Sequence, residues 1–376
     1  MTLRFVEDGG ILYVLPSEGE AGWFSRAMRA GGVRIRWSDG LQETAAANVV
    51  YEPEEVERLH ALFRSKYGDR AWRTYFAQSH RALAIDRRRP LAPRSREEAI
   101  REEFDSVAPT YDESVDRKPI ERYLKERAAR MFGRALERLD PLLEIGPGTG
   151  YHTLPLLKTG HRILAVDLSE GMLERLRRHA ITQGVSDLLE TRRGRLGELG
   201  RILSDRPAGS FGGVFSAFGA FNLEADLGPA AIVLARLVRP GGRLIFTFLN
   251  RPGLVPLAWE LAMGRPAAAG RRLGESIPPN EIRYPLELFL RTPSAWDRLF
   301  GASFRRTRTE AVSVLAPPFD SDRALSFFGE DGARRVRSLD ERLVRLPRAW
   351  VAAEWVTLTY ERAGDGKTPP LAATAT

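Results

Sequence analysis

The stretch Leu142-Leu143-Glu144-Ile145-Gly146-Pro147-Gly148-Thr149-Gly150 restricts this chain more than any other. Its first half is a short apolar run that reads as a buried strand. Its second half is a glycine loop, followed by a helical pattern that begins near Tyr151 and carries Leu154, Leu156 and Leu157. Glycine suits the loop for two reasons: the turn is tight, and a ligand can approach the backbone where no Cβ intervenes. The helix N-terminus that follows offers free N–H groups and a partial positive charge to an anionic group. A second apolar strand, Arg162-Ile163-Leu164-Ala165-Val166-Asp167, ends in an acid. Asp167 lies about 20 residues past the loop, the spacing at which a carboxylate takes ribose hydroxyls in a nucleotide-binding fold.

The glycine spacing discriminates between cofactors. A dinucleotide loop is G-x-G-x-x-G; here the run is Gly146, Gly148, Gly150, and the third dinucleotide glycine would fall on Tyr151. Downstream, Leu237-Val238-Arg239-Pro240-Gly241-Gly242-Arg243-Leu244-Ile245-Phe246 reads as helix end, turn and strand. Upstream stands Phe104-Asp105-Ser106-Val107-Ala108-Pro109-Thr110-Tyr111-Asp112. Taken together and in this order, these motifs resemble class I S-adenosylmethionine-dependent methyltransferases over roughly residues 100–362.

The resemblance implies an α/β fold: a seven-stranded doubly wound, Rossmann-like sheet whose last strand is antiparallel. It implies S-adenosylmethionine as cofactor, bound by Tyr111, Glu144, Gly146, Pro147, Gly148, Thr149, Gly150, Asp167, Leu168, Met172 and Ser216. Glu144 would lie under the methionine part of the ligand, and Tyr111 would close over that end. Ser169 is an N-cap candidate for the helix Glu170–His179. Leu189–Arg193 reads as the third strand, after which the family places an acid for adenine; here Arg195 stands in that place. Phe211–Phe218 reads as the fourth strand, running toward Asn222. Asn222 is open to two readings, a substrate-facing polar group or a turn residue capping the next helix. Ala230–Val238 reads as that helix and Arg243–Asn250 as the fifth strand. The segment between Asn250 and Phe304 is long for a plain connection and reads as a lid or substrate wall, with Tyr284 as a substrate-binding candidate. Phe304–Leu315 and Trp355–Tyr360 are the expected final strands, and the helical stretch 321–346 between them is expected to cover the site.

Residues 1–89 form a separate block. Arg4–Glu7 and Ile11–Leu15 read as strands joined by Asp8-Gly9-Gly10, a hairpin-type turn. Val33–Trp37 alternates apolar and basic residues as a half-buried strand does, and Glu43–Tyr51 returns beside it. Pro53–Tyr67 reads as a helix ended by Gly68, and Arg81–Asp86 as a closing strand. This mostly-β block resembles split β-barrel proteins of the flavin- and deazaflavin-binding nitroreductase type. The family's leading strands and basic cofactor stretch have no counterpart before Leu3, so cofactor binding and a structural or dimerising role both stay open. Trp23, Trp37 and Trp72 read as core residues. His60 and His80 lack partners at metal-ligand spacing, and no metal site is expected. Residues 90–96, with two prolines beside a run of arginines, read as the linker to a methyltransferase domain at 97–362. Within that domain Glu97–Phe104 and Ile120–Leu139 read as helices, and residues 363–376 as a frayed tail.

Composition narrows the chemistry. The chain has no cysteine, which excludes disulfides, zinc-thiolate sites and a cysteine nucleophile. The net charge of +8 comes from arginines spread along the whole chain, without the aromatic–basic stripe of a nucleic-acid binder. No apolar run reaches the roughly 18 residues of a membrane span, and Met1–Asp8 does not read as a signal peptide. A cytoplasmic protein is expected. Cytosine-carbon methylation is excluded with cysteine. Ser216-Ala217-Phe218 lacks the proline pair of adenine-amino methylases and the acids of metal-dependent catechol-type enzymes. Arginine methylases need two glutamates in the following loop, and only Glu224 is near. The expected partner is thus a small-molecule methyl acceptor, with no nucleic acid or membrane, and a second copy through the N-terminal block is left open. The catalytic residues are unknown at this level. Two further readings stand beside this one: a reductase–methyltransferase fusion, and a S-adenosylmethionine-binding protein without transferase activity.

Overall fold

The computed structural model describes residues 4–16, 24, 27, 32–36, 42–50, 52–77, 79, 81–86, 96–116, 119–251, 253–277, 286–315 and 329–364. Tyr284, Trp23, Trp37, His80, the arginine- and proline-rich stretch 87–95 and the tail beyond 364 lie outside the described residues. The chain divides into two compact units. The first comprises Met1–Ser114, Ser169–Met172 and Pro279–Leu286; the second comprises Val115–Leu168, Leu173–Pro278 and Glu287–Thr376.

The first unit contains a five-stranded antiparallel sheet. Its strands are β1 (Val6–Asp8), β2 (Ile11–Val14), β3 (Gly32–Arg36), β4 (Gln42–Val50) and β5 (Ala82–Asp86), in the order β1-β2-β5-β4-β3. Gly9 and Gly10 turn β1 into β2 with positive φ, as the sequence predicts. Alternate residues of β2 are buried in different clusters. Leu12 and Val14 pack with Phe24, Ala45, Ala47, Leu83 and Ile85, whereas Tyr13 packs with Leu59, Phe63 and Phe76. The latter cluster draws on the helix Pro53–Tyr75, which is longer than its sequence pattern predicts. Gly68 breaks the helical backbone at φ 81°, but the chain re-enters a helix and runs on to Tyr75. His60 is structural: its Nδ1 accepts from the Trp72 indole N–H at 3.0 Å, which leaves Nε2 to donate to the Ser79 carbonyl at 2.7 Å. Arg96–Val107 is a further helix of this unit, and the helix Tyr111–Asp116 begins in it. Asp105 Oδ1 accepts from Ser169 Oγ at 2.6 Å and from the Gly171 N–H at 3.2 Å. Ser169 Oγ in turn accepts from the Met172 N–H at 3.0 Å, the N-cap contact expected of it.

The second unit is built on a seven-stranded sheet. Its strands are β6 (Leu142–Ile145), β7 (Ile163–Asp167), β8 (Leu189–Arg193), β9 (Phe211–Ser216), β10 (Val238–Leu249), β13 (Phe304–Ala311) and β14 (Trp355–Arg362). The order is β13-β14-β10-β9-β6-β7-β8, parallel except that β14 pairs antiparallel with both its neighbours. Leu142 stands opposite Ile163 and Ile145 opposite Val166 in the adjacent parallel strand β7. This is the expected doubly wound fold. The pair β11 (Ser276–Ile277) and β12 (Leu288–Phe289) forms a separate ribbon within the 250–304 segment, which also holds the helices Leu254–Ala262, Pro266–Arg272 and Pro293–Phe300.

The central strands are buried on both faces, which is why they read as unbroken apolar runs. Leu142, Ile163, Ala165, Phe215 and Ile245 pack with Phe132 and Leu136 of the helix Pro119–Leu136. Leu143, Val166, Val214, Leu244 and Phe246 pack with Leu234 of the helix Gly228–Leu237 and Trp296 of the helix Pro293–Phe300. Several boundaries differ from the sequence reading, among them that of the first of the last two strands, which ends at Ala311 rather than Leu315. β10 begins at Val238 and passes through Pro240-Gly241-Gly242 as a bulge, with a register break before Arg243. The helix after β6 begins at Thr153, because the Gly150 N–H turns back to the Pro147 carbonyl at 3.1 Å. The helix before β10 begins two residues early, at Gly228. Among the described residues no helix is long and apolar enough to cross a membrane.

Phe246 is fully buried, with ring centroids 4.6 Å from Phe221, 4.8 Å from Trp296 and 5.8 Å from Phe300. Phe246→Ala removes this hub and leaves a cavity. The expected loss is about 3–5 kcal/mol of stability, read as a lower midpoint in equilibrium urea unfolding.

Candidate functional site

Chain direction across the large sheet reverses at β6. The chain steps outward from β6 through β7 to β8, then returns to place β9 on β6's other side. In open α/β sheets a ligand crevice forms at such a reversal, beyond the carboxyl ends of the strands. The glycine loop leaves β6 at this point. Its first N–H, that of Gly146, donates to the Val166 carbonyl at 2.8 Å, so the loop starts as an extension of the sheet. Gly146, Gly148 and Gly150 all have positive φ, of 69°, 56° and 99°. A Cβ on Gly146 would stand 2.8 Å from the Ala220 Cβ, and one on Gly150 2.4 Å from Leu176 Cδ1. A Cβ on Gly148 would meet nothing within 4 Å. The outer glycines are thus required by the fold, and the middle one leaves an open approach to the backbone.

Asp167 closes the other side. Its Oδ2 accepts from the Gly148 N–H at 3.1 Å, and its carbonyl accepts from the Gly194 N–H at 2.8 Å. The carboxylate is partly exposed, as are Gly146, Gly148 and Leu168. Pro147, Thr149 and Gly150 are buried beneath them, and the Thr149 carbonyl accepts from His179 Nδ1 at 3.0 Å. This partly exposed rim joins backbone groups to one carboxylate, and a carboxylate can accept hydrogen bonds from the vicinal hydroxyls of a nucleoside.

Glu144 lies below the loop and is only 1% exposed. Burial pushes its carboxyl up to about 8; the Thr153 hydroxyl, donating to Oε2 at 2.6 Å, opposes the rise, and the nearby Asp167 charge adds to it. The side chain is therefore protonated at neutral pH.

The other sequence candidates separate on inspection. Ser216, fully buried, donates through Oγ to the Ile145 carbonyl at 2.7 Å and ties β9 to β6. Asn222 is fully buried too. Its Oδ1 accepts from the Leu249 N–H at 2.8 Å, and its Nδ2 donates to the Leu249 and Phe289 carbonyls at 3.4 and 2.7 Å. Both amide hydrogens are spent on backbone, so this side chain pins β10 and β12 to the turn after β9. Tyr111 and Met172 belong to the first unit. In the place after β8 where the sequence reading looked for an acid stands Arg195, which caps a short turn, its backbone N–H donating to Glu198 Oε2 at 3.4 Å. His152 carries no motif signal, yet it is 6% exposed and lies two residues beyond the loop.

Residues 143–246 match a family model described as a methyltransferase domain. The chain is 28% identical over 169 residues to the demethylmenaquinone methyltransferase of Symbiobacterium thermophilum, covering 43% of this chain and 64% of that protein. It is 28% identical over 188 residues to the malonyl-[acyl-carrier protein] O-methyltransferase of Serratia marcescens, covering 50% of this chain and 65% of that protein. The chain thus spans just under two thirds of these relatives' length. Among solved structures, the CcbJ methyltransferase of Streptomyces caelestis aligns with a TM-score of 0.45 at 19% identity, over 69% of this chain and 98% of that one. Over residues 143–246 the chain is thus similar to a methyltransferase domain.

Glu144 makes stability depend on pH. The folded state holds this proton up to about pH 8, whereas the unfolded chain releases it near 4.5. Its stabilising contribution is complete below pH 4.5 and is lost as pH rises through 8. Glu144→Gln keeps the shape and removes the titration. The melting temperature of the variant should gain on that of the native protein between pH 5 and pH 9; a constant difference across that range would contradict the assignment.

Proposed function

We propose that this chain transfers the methyl group of S-adenosylmethionine to a small organic acceptor. The observation that carries the reading is the Gly146–Gly150 loop, open at Gly148 and held against the carboxylate of Asp167. The bound cofactor supplies a methyl group activated by a sulfonium. The protein's share of the work is positioning: much of the acceleration of an in-line displacement comes from holding nucleophile and methyl carbon in contact. In this reading the backbone of Gly146 and Gly148 meets the ligand, and Asp167 accepts its ribose hydroxyls as charge-assisted hydrogen bonds. Pro147, Thr149, Gly150 and Ser216 shape the site from below, and Leu168 lies at its rim.

A small organic acceptor is supported by the absence of the cysteine, proline-pair and paired-glutamate signatures in this sequence. It is supported also by the names of the two relatives, a demethylmenaquinone and a malonyl-[acyl-carrier protein] methyltransferase. We read residues 97–362 as the transferase domain of a cytoplasmic protein and residues 1–89 as a structural or dimerising block; a flavin absorbance band in the purified protein would overturn the latter.

Calorimetric titration with S-adenosylhomocysteine tests the site. Asp167→Ala should lose about 2–3 kcal/mol of binding, roughly a 30- to 150-fold drop in affinity. Gly148→Val should do more harm, because it puts a branched side chain at φ 56° on the open approach. Unchanged affinity in Asp167→Ala would mean that the site has been misplaced.

A further inference from the structure

His152 stands at the reversal point, two residues past the glycine loop. Its ring is bounded by three aromatic side chains, with centroids 5.3 Å from Phe132, 5.2 Å from Tyr151 and 5.9 Å from Phe218, the last nearly stacked at 29°. Phe132 comes from the helix Pro119–Leu136, and Phe218 from the turn that follows β9. Phe218 has a left-handed backbone, φ 45°, which is costly for a bulky residue and recurs at functional sites. Phe132 is buried, while Tyr151 and Phe218 are partly exposed.

Neither ring nitrogen of His152 has a hydrogen-bond partner among the described residues. A buried polar group in that state costs of the order of 1–3 kcal/mol and calls for a partner of its own. A histidine that served only to fill an aromatic nest would be bettered by phenylalanine.

We propose that His152 receives the methyl acceptor, its ring nitrogen taking the hydrogen bond of a hydroxyl on a small aromatic molecule that packs against Tyr151 and Phe218. The inference rests on the methyl-transfer reading above. Planar rings suit the nest because aromatic pairs gain from stacked and edge-on contacts. Burial, with the Lys125 charge adding to it, holds the imidazole well below its usual basicity, at about 3, so the ring stays neutral and keeps a lone pair for the incoming hydrogen. The step balances. An oxygen lone pair forms the new O–C bond, the electron pair of the old S–C bond stays on sulfur, and the hydroxyl proton passes to His152 as the bond closes. The oxygen that forms is an alkylated oxonium, a far stronger acid than any imidazolium, so even a weakly basic ring accepts its proton.

Phenol serves as the probe, with toluene as its apolar match. In protein loaded with S-adenosylhomocysteine, phenol should move the ring ¹⁵N signals of His152, assigned by their loss in His152→Phe, and toluene should not. In calorimetry His152→Phe should keep its affinity for S-adenosylhomocysteine and weaken phenol binding about tenfold, the ~1.4 kcal/mol scale of one hydrogen bond. His152→Asn, which retains a polar acceptor, should recover part of that loss and stands in if the phenylalanine variant fails to fold. No phenol-dependent shift, an equal shift with toluene, or unweakened phenol binding in His152→Phe would overturn the proposal. Failure of the native protein to bind S-adenosylhomocysteine would instead overturn the methyl-transfer reading.

Discussion

One hydrogen bond joins the two halves of the candidate site. The Gly148 N–H donates to Asp167 Oδ2, fastening the loop that leaves β6 to the end of β7. It requires β6 and β7 to lie side by side and parallel, as their register has them. It also requires a loop tight enough to bring Gly148 back over the sheet, which the positive φ of three glycines permits. The glycines divide that work. Gly146 and Gly150 have no room for a side chain, so packing dictates them; Gly148 has room, so its freedom from a side chain serves whatever approaches from outside.

The charges around this loop follow from depth. Asp167, at the rim, is partly exposed. Glu144, a strand's length below, is so buried that it holds a proton at neutral pH, and His152 is so buried that it declines one. The interior next to the site is therefore electrically quiet, with Lys125 as the buried cation that bears on His152. In such surroundings hydrogen-bond direction matters more than net charge, because a charge brought in without a partner would bear the full cost of desolvation.

The aromatic hub on the other side of the sheet has a different task. Phe221, Phe246, Trp296 and Phe300 pack across three elements and hold the turn after β9 in place. Asn222 adds a polar pin to the same turn, linking it to β10 and β12. The Phe218–Asn222 segment thus carries the aromatic side of the candidate site on one flank and is anchored by core packing on the other.

The residues of β6, β7, β9 and the second half of β10 announced their strands because both faces are buried, which leaves an apolar run that needs no knowledge of partners. The same holds for the glycine loop and the acid ending β7, whose spacing is a property of one βαβ unit and so is written locally. The seven strands and the antiparallel last one came from the family resemblance, and the order of the strands from the structure. What the chain could not show was where side chains separated by long stretches of sequence would meet. Ser216 belongs to the Ile145 carbonyl, 71 residues away, and Asn222 to Phe289, 67 away. Both therefore hold the fold together where a local reading left room for a ligand. Gly68 was read as a stop, but a single residue at positive φ only kinks a helix when packing on Leu59, Phe63 and Phe76 carries the chain onward. The protonation of Glu144 and the isolation of His152 were decided by tertiary structure alone, because burial depends on what the rest of the chain lays over a residue, and no local pattern records that.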